Sequence, residues 1–234
     1  MVSAYLRRGM AAGLLAGLLA GLFAFLVGEP VLDQTIALEE ASAGAHHEEI
    51  FSRPTQKVGL FFATGLFGVT VGGVFGISYA FFRERLATDS DLRRSVSLAG
   101  AIFVGAFLIP FLKYPANPPA IGDPSTIRER TAAYFTLVAL SLLAILLAWI
   151  VSGALKARGV GALRRRLTVG AGLVVVLGAL FLLLPAAPSA GGFPSGLLWA
   201  FRLSSIGTQL AFWAGLGLLF GALCERAKRK GVTA

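Results

Sequence analysis

A chain of 234 residues with 56% apolar and only 14% charged side chains, and a mean hydropathy of +0.77, is not built like a water-soluble domain, in which about a quarter of residues are charged. The formal charge of +9 does not require a nucleic-acid partner, because most of the bases lie at the ends of apolar runs, where membrane topology accounts for them. A single cysteine, Cys224, excludes an internal disulfide and a thiolate metal site made within one chain.

Six apolar runs follow one another, at roughly 9–28, 58–82, 95–112, 131–152, 167–184 and 199–223. At a rise of about 1.5 Å per residue, each is long enough for a hydrocarbon core of about 30 Å. Backbone polar groups in lipid must be satisfied within the segment, so the runs are predicted to be helices. The expected fold is all-α: one integral membrane domain over 1–234, a polytopic helical bundle of about six transmembrane helices. Arg7 and Arg8 precede a first run of 19 or so apolar residues. A signal-peptide core is shorter, about 7–15 residues, so this run is expected to remain as a span.

Glycines recur along the first span at Gly9, Gly13, Gly17 and Gly21. The second span has Gly65, Gly68, Gly72 and Gly76, and the sixth has Gly217 and Gly221. Such small-residue stripes predict close helix packing, either within the bundle or in a homo-oligomer.

Orientation follows from the bases. Fifteen of the 21 fall at the N-terminus, in the 83–94 and 156–166 connections and in the C-terminal tail. That face is expected to be cytoplasmic, with both termini inside and the basic surface beside anionic lipid of the bilayer. The outer loops are then about 29–57, 113–130 and 185–198.

The first outer loop holds six acids against Arg53 and Lys57. If its start is helical, Glu29, Asp33 and Glu40 share a face, and farther on His46 and Glu49 sit at i and i+3. Carboxylates with imidazole suit a divalent first-row metal, without choosing among cobalt, nickel, zinc and manganese. Glu29, Asp33, Glu39, Glu40, His46, Glu48 and Glu49 are therefore the candidate metal-contacting residues. His47, about 100° away from His46 on a helix, cannot share that geometry. The competing reading is a solvated acidic loop in which Glu49 pairs with Arg53.

The second outer loop contains Pro115, Pro118, Pro119 and Pro124, which forbid a continuous helix and stiffen the connection. Lys113, Tyr114, Asn117, Asp123 and Arg130 are its candidate functional residues. Lys113 is expected to pair with an acid of the first loop, Glu29 or Asp33 foremost, and Asp123 to order the turn before Pro124. In the sixth span, Arg202, Ser205 and Gln209 fall at i, i+3 and i+7 on one face, as a polar path or as interhelical hydrogen-bonding groups.

No G-x-x-x-x-G-K-[ST], G-x-S-x-G, H-E-x-x-H or C-x-x-C motif occurs, so neither a nucleotide motor nor an enzyme is expected. No Asp, Glu, Lys or His lies at the middle of a run, which argues against a buried proton relay. Two functions remain: a permease subunit for a divalent metal, or a non-transporting scaffold or assembly protein whose outer loops bind a partner.

Three stretches carry a resemblance. "GEPVLDQTIALEEA", "KYPANPPAIGDPSTIRERTAAYF" and "LWAFRLSSIGTQLAFWAGLGLLFGAL" together resemble the CbtA family, the probable membrane subunit of a cobalt transporter. The most specific part is Lys-Tyr-Pro-x-Asn-Pro-Pro at 113–119 with Gly-Asp-Pro at 122–124. The resemblance implies Co²⁺ as cargo with no permanently bound cofactor, uptake linked to cobalamin metabolism, and residence in the bacterial plasma (inner) membrane. It also implies a small single-span partner of the CbtB type that bears a histidine cluster. The chain departs from the family description in two ways: six runs are counted where five spans are usual, and histidine tracts are reduced to His46-His47.

Overall fold

The computed structural model describes residues 2–43, 51–86, 88–119 and 121–231. Among the described residues, six helical segments are long and apolar enough to cross a membrane: Val2–Ala41, Arg53–Arg85, Asp91–Lys113, Ile127–Ala157, Ala162–Leu183 and Ser195–Arg229. The α-helices are α1 (Val2–Phe23), α2 (Glu29–Ala43), α3 (Arg53–Phe82), α4 (Asp91–Phe103), α5 (Ile109–Lys113), α6 (Ile127–Ala157), α7 (Ala162–Leu183) and α8 (Ser195–Arg229). No strand occurs among the described residues.

Two spans carry an internal π-helical turn, Ala24–Gly28 between α1 and α2 and Val104–Leu108 between α4 and α5. Each stops one residue short of a proline, Pro30 and Pro110. A proline inside a helix lacks the N–H donor and collides with the carbonyl four residues back. Here the residue before each proline, Glu29 or Ile109, bonds five residues back, to Ala24 O or Val104 O. The extra residue in the turn relieves the collision, and the helix resumes. As a result α2 prolongs the first span into the segment expected to be a loop.

The prolines also orphan carbonyls. Gly105 O loses a donor because Ile109 N–H goes to Val104 and Pro110 has none. The buried Ser141 hydroxyl on α6 lies 2.5 Å from that carbonyl and 2.7 Å from its own Leu137 O. A polar group without water must find such a partner.

The chain forms two compact units. The first comprises residues 1–100, 116–120 and 192–234. Within it α1 lies against α3 through the glycine stripes. A Cβ placed on Gly13 would stand 2.8 Å from Gly72 Cα, and one on Gly72 would stand 2.7 Å from Gly13 Cα. No side chain larger than hydrogen fits without moving a backbone. Tyr5, Phe75, Tyr79 and Phe220 form a buried aromatic cluster, with Tyr79 and Phe220 centroids 4.9 Å apart. Ser95 Oγ donates to Gly217 O at 2.7 Å, tying α4 to α8 where Gly217 and Gly221 allow approach.

The second unit comprises residues 101–115 and 121–191. It contains the π-helical turn, α5, α6 and α7. The last two form a hairpin whose helix ends at Gly159, φ +76°, with Val160 N–H returning to Leu155 O. A left-handed residue here is the ordinary glycine helix stop.

Candidate metal vestibule and the loop residues

The acids at the start of α2 are not free carboxylates. Glu29 and Asp33 stand one helical turn apart and face Arg53 and Lys57, one turn apart at the start of α3. Arg53 Nη2 lies 2.7 Å from Glu29 Oε2 and 2.5 Å from Asp33 Oδ1, bridging the two. Lys57 Nζ is 2.9 Å from Asp33 Oδ2 and 4.0 Å from Glu29 Oε2. Gln56 Oε1 accepts from Arg53 Nη1 at 2.6 Å, holding the guanidinium. The Glu29 side chain is only 12% exposed against 44% for Asp33, so Glu29 sits where solvent screens it least. The four charges cancel.

Glu39 and Glu40 lie farther along α2 and form no ion pair among the described residues. The expected contributions of His46, Glu48 and Glu49, with the alternative Glu49–Arg53 pair, lie outside the described residues. Among the described residues no group of three or more His, Cys, Asp or Glu side chains converges as a metal shell.

Lys113 and Tyr114 belong to the second unit. Lys113 Nζ donates to Phe181 O at 2.7 Å, in the last turn of α7, and lies 5.4 Å and 5.8 Å from the Tyr114 and Phe181 ring centres. Terminal helix carbonyls lack intrahelical donors and attract cations. The acidic partner expected for Lys113 is thus replaced by a main-chain carbonyl, while Glu29 and Asp33 hold Arg53 and Lys57. Tyr114 OH donates to Pro185 O at 2.7 Å, fixing the chain just past α7.

Farther along the same loop, Asp123 Oδ1 accepts Ser125 N–H at 2.8 Å, spanning Pro124. Its main-chain oxygen accepts from Thr126 Oγ1 at 2.8 Å and Arg130 Nη2 at 3.0 Å. Gly122, at φ +100°, lies under the Arg130 guanidinium, and a side chain there would meet Arg130 Cζ at 3.0 Å. Hydrogen bonds from Ser125, and secondarily the Arg130 charge, hold the Asp123 carboxyl below the ordinary aspartate range.

Asn117 belongs to the first unit. Arg202 of α8 donates through Nη2 to Asn117 Oδ1 at 2.9 Å and through Nε to Ala116 O at 3.4 Å, and its guanidinium lies 5.5 Å from the Trp199 ring centre. Of the polar stripe, Arg202 therefore anchors the loop, and Gln209 Oε1 accepts Trp213 Nε1–H at 3.2 Å. Ser205 is half-buried on the same face. Trp199, Phe181, Pro185 and Gln56 were not foreseen as partners. Trp199, three residues before Arg202, and Gln56, three residues after Arg53, left a signal in the sequence, each lying at i and i+3 on one helix face with its partner.

No curated protein and no solved structure matches the chain. The family model described as "Probable cobalt transporter subunit (CbtA)" matches residues 2–225, nearly the whole length and all three motif stretches. The chain, a multi-pass membrane protein with six spanning-length helices, belongs to the CbtA family.

Proposed function

We propose that this chain is the membrane subunit of a divalent-metal uptake transporter, that its cargo is Co²⁺, and that uptake serves cobalamin metabolism. It works in the bacterial plasma membrane with both termini inside, alongside a small histidine-bearing subunit of the CbtB type. The observation that carries this reading is the Glu29–Asp33 pair bridged by Arg53, in a chain whose family is described as a probable cobalt transporter subunit. A guanidinium nitrogen held between two carboxylates occupies the kind of position a metal cation takes between hard oxygen ligands.

In this reading Arg53 and Lys57 are resident counter-cations. They balance the charge of Glu29 and Asp33 in the empty protein, and incoming Co²⁺ competes with them. The half-buried setting of Glu29 makes that exchange stronger than at a fully solvated site, since opposite charges 4 Å apart interact by about 4 kcal/mol at an effective dielectric near 20 against about 1 in water. Glu39 and Glu40, unpaired on the same helix, raise the local cation concentration.

Radioactive cobalt uptake by cells carrying this chain, with and without the small partner, tests the proposal. Accumulation that needs this chain and saturates with Co²⁺ supports it. Correct assembly of the partner with no cobalt accumulation would leave the scaffold function in its place.

A further inference from the structure

The α6–α7 turn holds the largest cluster of bases without an ion pair among the described residues. Lys156, Arg158, Arg164, Arg165 and Arg166 fall within 11 residues, and all but the half-buried Arg165 are exposed. None forms an ion pair among the described residues. No Asp or Glu occurs between residues 130 and 224. Some bases elsewhere carry an acidic partner: Arg94 has Asp91 at 3.5 Å, Arg229 has Glu225 at 3.9 Å, and Arg53 and Lys57 have Glu29 and Asp33.

The turn is also rigid. Arg158 N–H reaches Ala154 O at 3.1 Å, Gly159 N–H reaches Lys156 O and Val160 N–H reaches Leu155 O, both at 3.0 Å. The bases are thus presented from a fixed backbone. Arg164, Arg165 and Arg166 are successive on a helix, about 100° apart, so they fan around α7 and do not converge on one point. Interleaved with them, Leu163 and Leu167 are 72% and 64% exposed. Beyond them α7 buries none of its 22 residues.

A fan of guanidinium groups above a largely exposed apolar helix fits a layer of headgroups over acyl chains. It does not fit a single small anion, which would need converging donors. We propose that the α6–α7 turn is a binding surface for anionic phospholipid headgroups. Guanidinium forks pair with phosphodiester oxygens, and Leu163 and Leu167 lie against the first acyl carbons. A net-negative headgroup supplies the countercharge that the chain itself lacks over more than 90 residues.

The test uses the purified full chain in neutral detergent, offered equal amounts of phosphatidylglycerol and phosphatidylcholine and analysed by native mass spectrometry. The wild type should retain phosphatidylglycerol several-fold over phosphatidylcholine. Arg164→Gln, Arg165→Gln and Arg166→Gln together should bring retention down to the phosphatidylcholine level. Where that variant does not fold, Lys156→Gln with Arg158→Gln, on the other arm of the turn, should lower retention in the same direction. Neutralising Arg226, Lys228 and Lys230 in the tail should leave it unchanged. Equal retention of both lipids by the wild type, or undiminished phosphatidylglycerol on the turn variants, would overturn the proposal. So would inorganic phosphate stabilising the protein to heat as well as phosphatidylglycerol does.

Discussion

Arg202 and Asn117, 85 residues apart in sequence, join two of the stretches that mark the family: Arg202 Nη2 donates to Asn117 Oδ1 at 2.9 Å. The bond stations Ala116 and Asn117 against the N-terminal part of α8 and gives Arg202 a fixed partner. A hydrogen bond to a charged donor contributes about 1.5–3 kcal/mol when well shielded and less when half-exposed. Arg202→Met should therefore lower the melting temperature of the purified protein by a few degrees, with a loss of about 1 kcal/mol. Asn117→Ala should cost less in that background than it does in the wild type, because its partner is already gone. Fully additive losses would show that the two side chains do not act as a pair.

Backbone contact between α1 and α3 makes a sharper prediction. Gly13→Ala forces its Cβ to within 2.8 Å of Gly72 Cα. Overpacking of this kind costs about 1–3 kcal/mol. Gly170 on α7 meets nothing within 4 Å, so Gly170→Ala should be neutral or raise stability by up to about 1 kcal/mol through helix propensity. Thermal melts followed by size-exclusion chromatography should separate the two variants.

The vestibule proposal turns on competition. Glu29→Gln with Asp33→Asn should raise the KM for Co²⁺ uptake by about tenfold, equivalent to about 1.4 kcal/mol. Glu39→Gln with Glu40→Gln should raise it less, and that smaller effect should fade at high salt as the Debye length shortens. Arg53→Gln removes the resident cation and should lower KM. An unchanged KM in all three variants would exclude these acids from the cation's route.

Orientation needs a reporter other than the native thiol, because Cys224 is only 3% exposed. With Cys224→Ser as background, Lys230→Cys should react with an impermeant maleimide after cell permeabilisation and not before. Labelling of intact cells would place the C-terminus outside.

Asp123 gives a prediction with a sign. Its carboxyl is held below the ordinary aspartate value of 3.8 by bonds from Ser125 and, secondarily, by Arg130. A lowered folded value means the carboxylate favours the ordered turn at all pH values above the unfolded value, and this contribution is lost as pH falls through the folded one. Protease resistance of the 121–130 segment should thus persist down to about pH 4 and fall below it. Asp123→Ala should lower the resistance at every pH, and Asp123→Asn, neutral but with an oxygen that still accepts from Ser125 N–H, should show at every pH the reduced resistance that the wild type reaches only below pH 4.

Much of the bundle was legible because lipid imposes strict rules. Runs of apolar residues long enough to cross had to be helices, and the four-residue spacing of the glycines announced close packing without saying which helices would meet. Asp123 before Pro124 read as a turn for a local reason. What escaped was non-local or written in the main chain. Lys113 ends on Phe181 O, and a carbonyl has no letter in the sequence. Asn117 and Arg202 meet across 85 residues, with nothing in either segment naming the other. The prolongation of the first span through Pro30 was hidden for another reason: a π-helical turn absorbs a proline that an ordinary helix would not. The Glu29 and Asp33 pairing with Arg53 and Lys57 was half visible: the opposite charges stood in one loop, but the sequence pointed Glu29 and Asp33 to Lys113 and Arg53 to Glu49.

Pro110 and Ser141 have a consequence for the order in which this chain can change. The proline withdraws a donor from Gly105 O, and the serine on α6 returns one. Replacing Pro110 by alanine restores a main-chain N–H and leaves Ser141 with its own Leu137 O to bond, so that step is open at any time. Replacing Ser141 first strands a carbonyl inside a membrane-length helix, at a cost of about 1–3 kcal/mol. The two positions form a one-way gate: the serine becomes dispensable only after the proline is gone.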